Sequence, residues 1–176
     1  MSYFERYVAI GDSSTEGWID PDEHGGFRGW ANRLAEHIAR AQGRLLYANL
    51  GVRGKRTRQI RVEQLPAALS MRPDLVTLFS GTNDVLTRRF DPEGVGRDVE
   101  TMHRELIGSG AKVVTFTLPD LTPLMPLGRL VAMRIRSLND NCCSGASWMT
   151  YWFRISWTGH LLGSFRYSIA LKNSFQ

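Results

Sequence analysis

The 176-residue chain is poor in cysteine, with two that are neighbours, Cys142 and Cys143. Adjacent cysteines make a poor structural staple, and their spacing suits no metal site. No apolar run approaches the roughly 18 residues of a membrane-spanning helix, so no stable membrane insertion is expected. Met1 to Arg6 lacks a basic region followed by a long apolar core, so the start of the chain does not read as a signal peptide. A reducing, cytoplasmic setting is the resulting expectation. Internal repeats and low-complexity tracts are also missing. Acidic residues run out late: positions 141–176 contain no Asp or Glu, although the chain has 17.

What is present reads as a globular domain. The length suits one domain with one core, and 43% hydrophobic with 22% charged residues is ordinary composition. The net charge of +5 raises the question of nucleic acid. The densest basic cluster, Arg53, Lys55, Arg56, Arg58 and Arg61, occupies one loop and a helix start. It has no interleaved aromatics and no recognition-helix signature, so a solvated face or a substrate-charge patch is expected there and no nucleic-acid site.

Strand-like and helix-like segments alternate. Tyr7–Ile10, Leu45–Leu50, Leu75–Phe79 and Lys112–Thr117 read as buried strands. Helical spacing marks Trp30 to Ala41, with Gly43 as its C-terminal cap. It also marks Thr57 to Leu69, where Pro66 predicts a kink or an early break. Asp91-Pro92-Glu93 has the grammar of a helix start, and Val95, Val99, Met102 and Leu106 continue it. A Pro-rich loop from Leu118 to Pro126 precedes a helix over Arg129–Leu138. Such alternation implies a mostly parallel sheet covered on both faces.

Three short motifs follow three of those strands: Gly11-Asp12-Ser13, Asn49-Leu50-Gly51 and Gly81-Thr82-Asn83-Asp84. Taken singly, each is a common turn. Together they place functional groups at strand ends, where an α/β sheet opens its ligand crevice. A serine hydroxyl needs a base to take its proton and donors to hold the oxyanion it generates. Ser13 supplies the hydroxyl and its own N–H, Gly51 an unobstructed backbone N–H, and Asn83 a side-chain amide. Asp12 is expected to organise the turn rather than act as base.

This spaced set resembles the SGNH hydrolases, also called GDSL-type lipases and esterases, over roughly residues 5–140. The resemblance implies a flavodoxin-like three-layer α/β/α sandwich with a central parallel sheet. It implies Ser13 as nucleophile, with Gly51 and Asn83 completing the oxyanion hole, a small-molecule acyl ester as substrate, and no metal or organic cofactor. The Gly-x-Ser-x-Gly nucleophile elbow of other serine hydrolases is absent. The family takes its base from an Asp-x-x-His motif near the carboxyl end, and this chain has none. Of its four histidines, His24, His37 and His103 read as loop or helix-surface residues. His160 alone lies beyond the third motif, with Trp157 three positions before it. His160 is thus the remaining candidate base, and an impaired or inactive hydrolase is expected.

The break at residue 140 divides the chain into an SGNH-like domain, 1–140, and an atypical segment, 141–176. That segment holds three of five tryptophans, Trp148, Trp152 and Trp157. It reads either as an amphipathic tail or as an altered terminus of the kind a shifted reading frame produces. Two non-enzymatic readings stay open: a silent domain binding a small ester or carbohydrate, and a module holding phosphate on the N–H groups of the 11–17 turn. Oligomeric state is not legible.

Overall fold

Strand β1, Arg6–Gly11, is the axis of the molecule. Its residues from Tyr7 onward are buried on both sides, as expected of a parallel strand with helices on each face. In the computed structural model, which describes residues 3–18, 20, 24–118, 128–144, 152–157 and 167–171, β1 lies between β2 (Leu46–Asn49) and β3 (Leu75–Phe79). The pairings are parallel, with Val8 opposite both Ala48 and Val76. Strand β4 (Lys112–Thr117) extends the sheet beside β3, and β5 (Trp152–Trp157) follows, also parallel. A final strand, β6 (Tyr167–Leu171), pairs antiparallel with β5. The order is β2-β1-β3-β4-β5-β6. Its first five strands have the doubly wound, flavodoxin-like order, in which the crevice opens at the carboxyl ends of β1 and β3.

The period of two along β1 separates two cores. Tyr7 and Ala9 face helix α2 (Gly29–Gln42), whose Ala31 and Ala35 let it sit close to the sheet. Val8 and Ile10 face the opposite side. There they meet the helical stretch 57–70, helix α6 (Pro92–Gly108) and helix α7 (Gly128–Ser144). Two single-turn helices, α1 (Ser13–Glu16) and α5 (Thr82–Val85), follow β1 and β3 directly. The start of α6 forms as its sequence implies: Asp91 Oδ1 accepts from Gly94 N–H at 2.9 Å, with Pro92 in the first turn.

Several details differ from the expectations. The stretch 57–70 is not a kinked α-helix. It runs as α3 (Thr57–Gln59), a π-helical turn (Ile60–Gln64) and α4 (Leu65–Ser70). Pro66 has no N–H to give to Val62, and its ring would crowd that carbonyl in a regular helix; the wider turn just before it accommodates both. Helix α7 runs longer than expected and passes through Asp140, where the composition changes. His103 is not a surface residue: it is 2% exposed between α6 and β4. Its Nδ1 lies 3.0 Å from the Val99 carbonyl, and Thr115 Oγ1 meets its Nε2. A carbonyl only accepts, so Nδ1 carries a proton, and burial disfavours a second one on the ring. His37 is exposed, as expected. Among the described residues, no helix is long and apolar enough to cross a membrane.

Candidate active site

Ser13 opens α1 two residues beyond the end of β1, with Asp12 between them. Asp12 is its N-cap, accepting from Ser14 N–H through Oδ1 at 2.9 Å. The turn then closes on itself: Thr15 and Glu16 donate to the Asp12 carbonyl, and Gly17 and Trp18 to that of Ser13. This leaves the Ser13 N–H for a ligand and withdraws its neighbours from one. The phosphate-on-a-turn reading loses most of its donors in this way. Asp12 is completely buried. That burial pushes its carboxyl above the usual range against the pull of the Ser14 hydrogen bonds, and the nearby Asp84 carboxylate pushes the same way. As expected, Asp12 organises the turn.

Gly51 approaches from the β2 side. It does not have positive φ; close packing is what requires glycine here. A Cβ would lie 2.6 Å from Glu16 N, 2.9 Å from Thr15 Cβ and 3.0 Å from Asn49 Oδ1. Asn49 ties the two loops together: its Nδ2 donates to the Thr15 carbonyl at 2.8 Å, and its Oδ1 accepts from Gly51 N–H at 2.9 Å. The Gly51 N–H is therefore engaged in the resting protein. An oxyanion would have to share or displace the Asn49 contact.

Asn83 approaches from the β3 side, on α5. Its Nδ2 donates to the Lys55 carbonyl at 2.9 Å and lies 3.5 Å from Asp12 Oδ2. The second contact is at the limit of a hydrogen bond, so one amide hydrogen is firmly held and the other only loosely. Next to it, the buried Asp84 carboxylate accepts from Thr57 N–H at 2.9 Å and Thr57 Oγ1 at 2.8 Å. The loop after Gly51 and the turn after β3 are thereby locked to each other. Arg134 of α7 donates to the Val85 and Thr87 carbonyls at 2.8 and 2.7 Å, which holds the far end of α5.

The rim is aromatic and basic. Arg53 pairs with Glu16 at 3.1 Å, and its guanidinium lies 5.3 Å from the Trp18 ring centre and 5.6 Å from that of Phe27. Trp18 remains 49% exposed, whereas Trp30 packs edge-on against Phe79 and Phe116. Within the basic cluster, Lys55 pairs with Glu63 at 2.6 Å and Arg61 with Asp98 at 2.7 Å. Arg56 and Arg58 are exposed.

Of the residues singled out from sequence, Ser13, Gly51 and Asn83 come to the same end of the sheet on adjacent elements. His160 lies outside the described residues. Among the described residues, no side chain hydrogen-bonds the Ser13 hydroxyl. Asn49, Thr57 and Gln64 organise the site and were not singled out as site residues. For Gln64, a polar residue four positions after Ile60 on the inward face of a helix was the available signal.

A family model described as GDSL-like lipase/acylhydrolase matches residues 9–150. No curated protein sequence matches significantly. Among solved structures, the chain is similar to a GDSL-like lipase from Bacteroides thetaiotaomicron, with 22% identity and a TM-score of 0.59. That match covers 81% of this chain and 63% of the Bacteroides protein's length. It is also similar to TesA, with 21% identity, a TM-score of 0.65, and 86% and 77% of the two chains covered. A lipase/acylhydrolase from Enterococcus faecalis shares 25% identity, with a TM-score of 0.59 and 80% and 72% covered. With the family model spanning most of its length and the doubly wound sheet beneath it, the chain belongs to the GDSL-like lipase/acylhydrolase family.

Proposed function

We propose that this chain is a serine ester hydrolase that acts on small acyl esters through an acyl-serine intermediate. The observation that carries the reading is the mutual bracing of three strand ends. Asn49 ties the Gly51 loop to α1 at 2.8 Å, and Asn83 spans from Lys55 at 2.9 Å toward Asp12 at 3.5 Å. In this mechanism Ser13 Oγ bonds to the acyl carbon, and the carbonyl oxygen takes up negative charge. The Ser13 N–H, the Gly51 N–H and the loosely held amide hydrogen of Asn83 stabilise that charge. The alcohol leaves with a proton. Water then attacks the acyl carbon, releasing the acid and restoring the Ser13 hydroxyl.

The Ser13 proton has no Asp-x-x-His acceptor in these 176 residues, and solvent takes its place. Turnover is correspondingly low. Without a triad member, oxyanion donors and binding leave roughly 10³–10⁴-fold acceleration over water. The test is hydrolysis of a short p-nitrophenyl ester by the wild-type chain and by Ser13→Ala. Slow hydrolysis that disappears in Ser13→Ala is expected. Fast turnover abolished by the same change would overturn the impairment and require a base among residues 141–176, with His160 the first candidate. Equal rates in both proteins would leave the alternative, a silent domain that binds a small ester or carbohydrate in the same crevice.

A further inference from the structure

Gln64 is a buried polar side chain that the proposed ester chemistry does not use. Its Oε1 accepts from the Gly11 N–H at 2.8 Å, and its Nε2 donates to the Gly11 carbonyl at 2.9 Å. A carboxamide here does the work of a neighbouring strand. Strand β1 pairs with β2 only as far as Ala9 opposite Asn49. Beyond that point the strand pairing ends, and Gln64 supplies the acceptor for the Gly11 N–H and a second donor to its carbonyl. The Gly11 carbonyl also receives Val52 N–H at 3.2 Å. The remaining sides are closed sterically: a Cβ on Gly11 would lie 2.2 Å from Thr15 Oγ1 and 2.4 Å from the Phe79 carbonyl.

The π turn explains how a helix supplies this side chain. Leu65 N–H bonds to the Ile60 carbonyl, five residues back. The extra residue in the turn brings Leu65 back under Ile60, and Gln64 and Leu65 are both buried. Leu65 then packs into the core while Gln64 reaches β1. Such insertions recur at functional sites.

We infer that Gln64 is a positioning residue for Ser13, holding the Gly11 peptide so that the Asp12 cap and the Ser13 hydroxyl keep their aim at Gly51 and Asn83. The inference rests on Ser13 being the nucleophile, and the experiment separates the two. Wild type is compared with Gln64→Leu, Gln64→Glu and Tyr7→Phe. Leucine removes both bonds at similar volume. Glutamate turns a carboxylate oxygen toward the Gly11 carbonyl at neutral pH and regains a donor once protonated. Tyr7→Phe removes a buried hydroxyl pair with Thr77, 2.8 Å long, on the opposite face of β1.

A fluorophosphonate probe reads the maximal rate of Ser13 modification separately from the probe concentration giving half that rate. Gln64→Leu lowers the maximal rate about 10- to 100-fold, the scale of a small misalignment, with half-saturation changed less than about twofold. Gln64→Glu shows the same loss at neutral pH and recovers toward wild type as pH falls, while Tyr7→Phe leaves the rate unchanged. Amide hydrogen exchange at Gly11 and residues 14–16, about tenfold or more faster in the Gln64 variants, reports the clamp independently of chemistry. Wild-type labelling rates in both Gln64 variants, or equal slowing in Tyr7→Phe, overturn the inference. If wild-type Ser13 is not labelled at all, the nucleophile reading fails and the exchange data alone decide the clamp; unchanged exchange overturns it.

Discussion

Replacing Gly51 by alanine tests the packing that brings the second strand end to the first. The new methyl carbon would stand 2.6 Å from Glu16 N and 2.9 Å from Thr15 Cβ. An ordinary contact is about 3.4 Å, so the loop and α1 must separate by several tenths of an ångström at least. The two atoms, a backbone nitrogen and a Cβ in the second half of α1, cannot rotate aside. Overpacking of this kind costs about 1–3 kcal/mol. For a chain of this size that corresponds to a fall in Tm of about 2–12 °C. The same displacement moves Gly51 N–H away from the oxyanion position proposed for it beside Ser13, so fluorophosphonate modification of Ser13 should slow about 10- to 100-fold. Gly108→Ala is the control. It stands at the exposed end of α6 with open space around its Cβ position, and it should be neutral or stabilising by up to about 1 kcal/mol. Thermal unfolding and probe kinetics on the three proteins decide the matter. A Gly51→Ala protein with wild-type Tm and labelling rate would refute the close approach of Gly51 to α1.

Other consequences are equally specific. Asp84→Asn keeps the shape but weakens the acceptor for the Thr57 N–H and hydroxyl. It should cost about 1–3 kcal/mol in urea unfolding and lower Ser13 labelling, because Asn83 is the adjacent residue. Burial holds the His103 imidazole below its ordinary 6.5, so the folded chain binds fewer protons than the unfolded one between the two values. Stability is therefore full above about pH 6.5 and falls as the medium is acidified below it. Tm measured from about pH 7 to about pH 5 should show this fall in wild type and a smaller one in His103→Leu. Arg134→Met removes the two donors that cap α5. It should raise exchange at residues 85–87 and lower the Tm by about 2–8 °C, from ~1–2 kcal/mol of lost hydrogen bonding.

The strands were legible because each buried strand is a short apolar run closed by a turn residue. The periodicity of Val95, Val99, Met102 and Leu106 likewise identifies α6. The three strand-end motifs were legible for the same reason: each follows a run whose direction and burial are set by its own composition. What escaped detection depends on distant partners. Gln64 stands four positions after the buried Ile60, so its inward face could be read from spacing; its partner, the Gly11 peptide of a distant strand, could not. His103 reads as a surface histidine on residue type alone; its place four after Val99 and three before Leu106 puts it on the buried face of α6, where Thr115 of β4 meets it. The engagement of Gly51 N–H by Asn49 Oδ1 is local but conformational. It follows from the Asx-type turn that β2 makes as it leaves the sheet. The four-residue helix α1 escaped for a similar reason, since its caps, Asp12 and Gly17, read equally well as plain turn residues.

The most direct test of the central claim is the crystal structure of the Ser13 phosphonyl adduct formed by long incubation with a fluorophosphonate. The account predicts phosphorus bonded to Ser13 Oγ. The phosphonyl oxygen should lie about 2.7–3.1 Å from Ser13 N, Gly51 N and Asn83 Nδ2, with Asn49 Oδ1 displaced from or sharing Gly51 N–H. An adduct on another serine, or a phosphonyl oxygen turned to solvent away from Gly51 and Asn83, would contradict it.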